Sequence, residues 1–308
     1  MKAGSATGVL GVDNTGPKEA TMIGIGLRHP HIESALSSPG SIDFVEVHAE
    51  NYFAEGGLLH HVLRDVADKY PVSLHGTAMG LGSAAEIPRH YLEQLVRLAS
   101  VIDPFLISDH AAFGWGELSG KSIQAGDLLP ISYNAASLKI FTQRVDQVQQ
   151  LLGRQILVEN LSYYLSFPDN TMTEAEFLVE LSTATGCGLL LDLNNILVNA
   201  FNEQESEPIA AGETWLQQIP AGLVGEIHLA GYTPPLPGQL AIDDHAQPVD
   251  DTCWKLYAQA IKRFGPIPTL IEWDNNLPSW EQLTEQAMKA KRIAQENRVY
   301  EPSKNPTT

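Results

Sequence analysis

Eight short, mainly apolar runs recur along the chain, and they constrain its fold more than any other feature. They are MIGIGL (22–27), DFVEVH (43–48), PVSLH (71–75), PFLISD (104–109), QILVEN (155–160), GLLLDL (188–193), VGEIHL (224–229) and PTLIEW (268–273). Near-continuous apolar character, rather than strict alternation, is what a parallel strand covered on both faces requires. Between the runs lie stretches of helical periodicity. LLHHVLRDVA places Leu58, Leu59, Val62, Leu63 and Val66 on one stripe, and YLEQLVRLA does the same with Leu92, Leu95, Val96 and Ala99. A helix is predicted to start at Thr173, with Glu176 three residues on, and to stop at Gly186. Another is predicted to start at Ser279 with Gln282 in the same relation, and residues 134–152 and 252–264 also fit helices. Strand–helix alternation repeated eight times predicts an α/β fold, a single (β/α)₈ TIM-type barrel over residues 22–296.

The connections are asymmetric. Those entering strands are short: KYP before residue 72, DP before 105, GR before 155 and GPIP before 269. Those leaving strands are long: 76–88, 111–133, 194–212 and 230–251. Elaborated loops at the carboxyl end of a barrel place its function there.

Composition narrows the function. A formal net charge of −18 over 308 residues repels phosphate backbones and argues against nucleic-acid binding. The two cysteines, Cys187 and Cys253, form no CxxC pair, which argues for a reducing compartment and against a thiolate metal site. Residues 1–21 read as a flexible leader without signal-peptide features, and 297–308 as a tail. No apolar run reaches the roughly 20 residues that span a bilayer. The expectation is a cytoplasmic protein with no membrane partner.

The strand ends carry the chemistry. Strand 2 ends on Glu46 and His48, followed by Glu50 and Asn51; strand 3 ends on His75; strand 4 on Asp109 and His110; strand 5 on Glu159 and Asn160. Strand 6 ends on Asp192, strand 7 on Glu226 and His228, and strand 8 on Glu272 and Asp274, with Asp243 and His245 in the loop after strand 7. A carboxylate at the end of a buried strand is costly unless it is paired, hydrogen-bonded or metal-bound. Like charges brought together raise each other's pKa, and divalent cations remove that cost. Nitrogen and oxygen donors without sulfur suit iron, manganese or zinc. The donors exceed the three or four that one zinc needs, which implies more than one ion with bridging carboxylates. His60, His61 and His90 fall on helices facing away from the rim, whereas His29 and His31 follow strand 1 and reach the end where substrate would bind. His48 reads either as a ligand or as a brace with Glu50 and Asn51. In DLNN, Asn194 or Asn195 can ligate through an amide oxygen or orient a neighbour.

The motifs GIGLRHPH, FVEVHAENYF, VSLHG, SDHAAF, DLLP, VENLSYYL, GCGLLLDLNN, EIHLAGY, DDHAQPV and IEWD occur in that order. Over roughly residues 22–290 the chain resembles the multinuclear non-haem iron-dependent oxidative enzymes, the group that includes the iron subunit of methanobactin biosynthesis. The resemblance implies a barrel holding two or three iron ions in a mixed-valent Fe(II)/Fe(III) state, with O2 as co-substrate. It implies as substrate a ribosomally made, cysteine-containing peptide, presented by a small leader-binding helper protein. Carried over motif by motif, it implies His75, His110, Glu159, Asp192, His228, Asp243, His245 and Glu272 as iron ligands, with His75, Glu159 and Asp192 serving the chemistry directly. The segment ELSGKSIQAG (117–126) matches no function. The rival class is a divalent-metal isomerase or phosphodiesterase of the xylose-isomerase or endonuclease-IV type; the negative balance argues against a DNA-cutting member. A non-enzymatic, metal-sequestering barrel is the third reading.

Overall fold

The computed structural model describes residues 20–38, 40–54 and 56–298. The barrel strands are β1 (Ile23–Gly26), β2 (Phe44–His48), β3 (Val72–His75), β4 (Leu106–His110), β7 (Leu157–Glu159), β8 (Gly188–Asp192), β9 (Val224–Leu229) and β10 (Thr269–Ile271). A separate antiparallel hairpin, β5 (Phe113–Leu118) and β6 (Lys121–Leu129), stands between β4 and β7 in the chain. The parallel strands follow chain order around the barrel, and β10 closes it on β1 through Ile23↔Thr269 and Ile25↔Ile271. All eight apolar runs are strands, trimmed at their ends.

The outer layer comprises α1 (Ile32–Ser37), α2 (Leu58–Ala67), α3 (Arg89–Ile102), α4 (Ala135–Leu152) and α5 (Glu174–Thr185). It continues with α6 (Leu193–Asn202), α7 (Pro208–Gln218), α8 (Asp251–Phe264) and α9 (Trp280–Glu296). Both expected capping boxes form: Thr173 with Glu176 opens α5, and Ser279 with Gln282 opens α9. No helix among the described residues is long and apolar enough to cross a membrane. Residues 1–19 of the expected leader and 299–308 of the expected tail lie outside the described residues.

Three local expectations are corrected. On α2, Leu63 and Val66 are buried but Leu58 and Leu59 are exposed, because they sit on the first turn, before the helix meets the barrel. On α3 the buried stripe runs through Leu92, Leu95 and Leu98 rather than Val96 and Ala99, one step around the helix. The long segments 111–133 and 194–212 are not plain loops. The first folds into the β5–β6 hairpin, whose glycines and exposed polar positions hide its alternation. The second opens directly into α6, a helix buried all round and therefore without the one-sided stripe that marks a surface helix.

The loop between β9 and α8 is closed at its base by close backbone contact between its two ends. A Cβ at Gly231 would lie 2.0 Å from Pro248 O. Gly231→Ala must therefore displace the loop that carries Asp243 and His245. Overpacking of this kind costs about 1–3 kcal/mol. Thermal denaturation should show a melting temperature lower by several degrees, and an unchanged value would mean that the loop moves freely.

Candidate metal centre

Paired residues of neighbouring parallel strands stand side by side, so strand register decides which side chains meet at the mouth. His48 stands beside His75, His110 beside Glu159, and Asp192 beside His228. Glu272 follows β10, and its N–H donates to Leu229 O at 2.9 Å, which brings it level with the end of β9. Asp243 and His245 reach the site from the β9–α8 loop. His245 takes a left-handed φ of 43°, and such a conformation costs a non-glycine residue about 1–3 kcal/mol.

Three contiguous groups result. In the first, Nε2 of His75 and Nε2 of His110 lie 3.4 and 3.3 Å from Glu159 Oε2. His110 Nδ1–H donates to Gly76 O at 3.2 Å, which leaves its Nε2 facing Glu159. His75 Nδ1 is tied to Ser108 Oγ at 2.8 Å. In the second group, His228 Nδ1 lies 2.9 Å from Glu272 Oε2 and 3.9 Å from Glu159 Oε1, and Asp192 completes the set. In the third, His245 Nε2 lies 2.7 Å from Asp243 Oδ1 and 3.8 Å from Asp192 Oδ2. Glu159 belongs to the first two groups and Asp192 to the last two.

Asp192 divides its two oxygens. Oδ1 accepts Asn195 N–H at 2.6 Å and so caps α6, while Oδ2 has no hydrogen-bond partner. Glu159 Oε2, Asn194 Oδ1, Asn195 Oδ1, His228 Nε2 and His245 Nε2 are buried in the same condition. Each such group costs about 1–3 kcal/mol. His245 Nε2 faces Asp243 Oδ1 closely but without hydrogen-bond alignment. Burial pushes the Glu159 carboxyl up to about 8, against the pull of His110 and His228. Burial likewise pushes Asp192 up to about 7, against the pull of His245. His75 is held well below the ordinary imidazole value by burial and by its neighbours His110 and His228. Unpaired lone pairs beside carboxylates that resist ionisation are what a divalent cation would satisfy. The donor set is imidazole and carboxylate with amide oxygens nearby, so it fits iron, manganese or zinc.

The remaining expected residues divide. Asn194 Nδ2 donates to Asp243 Oδ1 at 2.7 Å, and Asn195 Nδ2 donates to Asn160 O at 3.1 Å, so both border the site with a free amide oxygen. Glu50 is not brought into it: it accepts the N–H groups of Thr77 and Ala78, each at 2.9 Å, and the Tyr91 hydroxyl at 2.5 Å, bracing the loop after β3. Asn51 is exposed and belongs to none of the groups. Asp109 turns away from the mouth, because it alternates with His110, and binds Met79 N–H at 3.1 Å. Glu46 and Glu226 lie one layer deeper, fully buried, where Glu46 Oε1 is 3.5 Å from His228 Nε2. His29 is exposed, while His31 is buried and donates to Pro278 O at 2.9 Å. The residue that sequence reasoning missed is Arg28, whose Nη2 lies 2.9 Å from His48 Nε2. A single cation after β1 carries no signal until barrel closure brings it to Asp274, 246 residues away.

A cavity of about 300 Å³ opens above these groups, walled by His48, Thr77, Tyr164 and Ile242 and overhung by Asp127 and Leu128 of β6. Residues 22–295 match the family described as RiPP precursor modification enzyme MbnB/TglH/ChrH. The chain belongs to this family. Two relatives are each called UPF0276 protein. That of Chromobacterium violaceum is 45% identical over 271 residues, spanning 88% of this chain and 94% of its own. That of Vibrio parahaemolyticus is 41% identical over 271 residues, spanning 87% and 91%. Among solved structures, a xylose isomerase domain containing protein of Salmonella typhimurium superposes with a TM-score of 0.60 at 16% identity, covering 91% of this chain and 99% of its own. Endonuclease IV of Thermus thermophilus gives 0.58 at 14% identity, with coverages of 91% and 99%. These two share this chain's barrel fold.

Proposed function

We propose that this family member is a multinuclear, iron-dependent oxidative enzyme that modifies cysteine-containing ribosomal peptides in the cytoplasm, with a small helper protein presenting the peptide leader. The observation that carries the reading is the surplus of unpaired, buried donor atoms over what one ion can take. Family membership supplies the substrate class. The ions would be held by His75, His110 and Glu159, by Glu159, Asp192, His228 and Glu272, and by Asp192, Asp243 and His245. Bound iron supplies O2 activation and one-electron chemistry.

The chain's own residues do the rest. Ser108 Oγ holds the His75 ring by its Nδ1, Gly76 O makes Nδ1 of His110 the donor, and the α6 cap holds Asp192 with one oxygen free. Ser162 Oγ donates to Asp243 Oδ2 at 3.3 Å, and the Asp243 N–H donates to the Tyr164 hydroxyl at 3.0 Å, which anchors the loop at the mouth. Asp127 and Leu128 of β6 line the same cavity, so the hairpin contributes to the wall that a substrate would meet.

The test is anaerobic loading with ferrous iron, with iron per chain measured beside electron paramagnetic resonance after partial oxidation. More than one iron per chain and a coupled mixed-valent signal are expected. One iron or fewer, without that signal, overturns the multinuclear reading. Activity kept with magnesium in the absence of O2 would favour a sugar-isomerase chemistry instead.

A further inference from the structure

Besides the groups already described and the deeper trio Glu46, Glu226 and His228, a trio at the rim has the spacing of a metal site: His48, Glu272 and Asp274. We infer that this position is filled by the chain itself, with the Arg28 guanidinium standing where a further cation would otherwise bind and so limiting how many ions the mouth can hold. The inference rests on the metal-binding reading above and goes beyond it in naming what sets the count.

A single atom, Arg28 Nη2, touches all three members. It donates to His48 Nε2 at 2.9 Å, pairs with Asp274 Oδ1 and lies 3.7 Å from Glu272 Oε1. Arg28 Nε donates to the same Asp274 oxygen at 2.8 Å. The guanidinium is built in rather than draped over the rim: its side chain is 10% exposed. It also folds against Gly26, where a Cβ would lie 3.1 Å from Nη1. A guanidinium keeps its charge at every physiological pH and offers donors only, so the His48 lone pair it meets cannot also bind a metal ion. His48 is thereby assigned as an acceptor for Arg28, not as a ligand. Asp274 has its other oxygen, Oδ2, 3.4 Å from His245 Nδ1. Arg28 therefore also sets, through Asp274, the face that His245 turns to Asp192 and Asp243, as carboxylates behind metal-bound histidines commonly do.

The test is a metal count on folded, full-length variants loaded with ferrous iron and, separately, with cobalt(II). Arg28→Ala should bind about one further ion per chain than the unmodified protein. Arg28→Lys, which keeps the charge, should not, and adding His48→Ala to Arg28→Ala should remove the extra ion. His48→Gln alone should leave the count unchanged. A folded Arg28→Ala variant with the original count or fewer overturns the inference, as does loss of an ion from His48→Gln, which decides the matter where Arg28→Ala fails to fold. Failure of the unmodified protein to bind any ion would instead sink the metal-binding reading.

Discussion

Glu159→Gln should lower metal content more than any other single substitution at the mouth while making the metal-free barrel more stable above about pH 8. Glu159 is the member common to the His75–His110 group and the Asp192–His228–Glu272 group, so neutralising it weakens two sites together. Even residues behind a metal ligand change affinity by about 10–100-fold, and a bridging ligand should exceed that range. The same carboxyl is fully enclosed, has one oxygen without a partner and resists ionisation. Above about pH 8, where that carboxyl ionises, a neutral amide removes the cost of the buried charge in the absence of metal, by about 1–3 kcal/mol. Opposite changes in metal affinity and metal-free stability are what a residue kept for binding should show. Asp192→Ala should also lose metal, but with a fall in metal-free stability of about 1 kcal/mol, because that side chain caps α6. Metal analysis paired with thermal melts of chelated samples separates the two. Unchanged metal content in Glu159→Gln would remove Glu159 from the proposed ligands.

The second large effect concerns pH. Chelated protein should lose stability steadily as pH rises from about 6.5 to about 8.5. Glu159 is raised from its ordinary 4.5 to about 8 in the folded chain, and Asp192 from 3.8 to about 7. A raised folded value means that the protonated carboxyl's contribution is complete below the ordinary value and is lost as pH climbs through the folded one. His110 is raised to about 9: burial alone would lower it, but the carboxylates of Glu159 and Asp109 outweigh burial, and its contribution is likewise lost with rising pH. The groups of opposite sign act lower down. His75 and His48 are lowered, so their effect is complete above about 6.5, and Glu272, held at about 2 by His245 and His228 against burial and Asp274, is complete above about 4.5. The slope in that window is therefore downward, worth a few kcal/mol in all at about 1.4 kcal/mol for each tenfold change in proton affinity. Bound metal should abolish it, since a cation favours the ionised carboxylates at every pH. Calorimetry on chelated and loaded samples checks both curves. A flat or rising melting temperature in the chelated sample would mean that these carboxylates are not confined as described.

Fold class, strand positions, capping boxes and the chemical character of each strand end were legible in the residues alone. Apolar runs of strand length and stripes of helical period report burial directly, because burial is what selects them, and Thr173 with Glu176 or Ser279 with Gln282 is a purely local pairing. Segments whose burial is uniform or slight were not legible: α6 is buried from Leu193 to Ala200, asparagines included, and the β5–β6 hairpin is mostly exposed, so neither carries a periodic contrast.

At the mouth the division is different. The chain order by itself determined that imidazoles and carboxylates would crowd one rim of a parallel barrel. Only the closed barrel decided which atoms meet. Alternation along a strand turns Asp109 away while His110 faces Glu159, and the depth of a residue within its strand sinks Glu46 and Glu226 a layer below. The seam between β1 and β10 delivers Arg28 to Asp274 and His48. Residue type is a local property, whereas the facing of one lone pair to another depends on strand register and closure over hundreds of residues, which no stretch of chain contains.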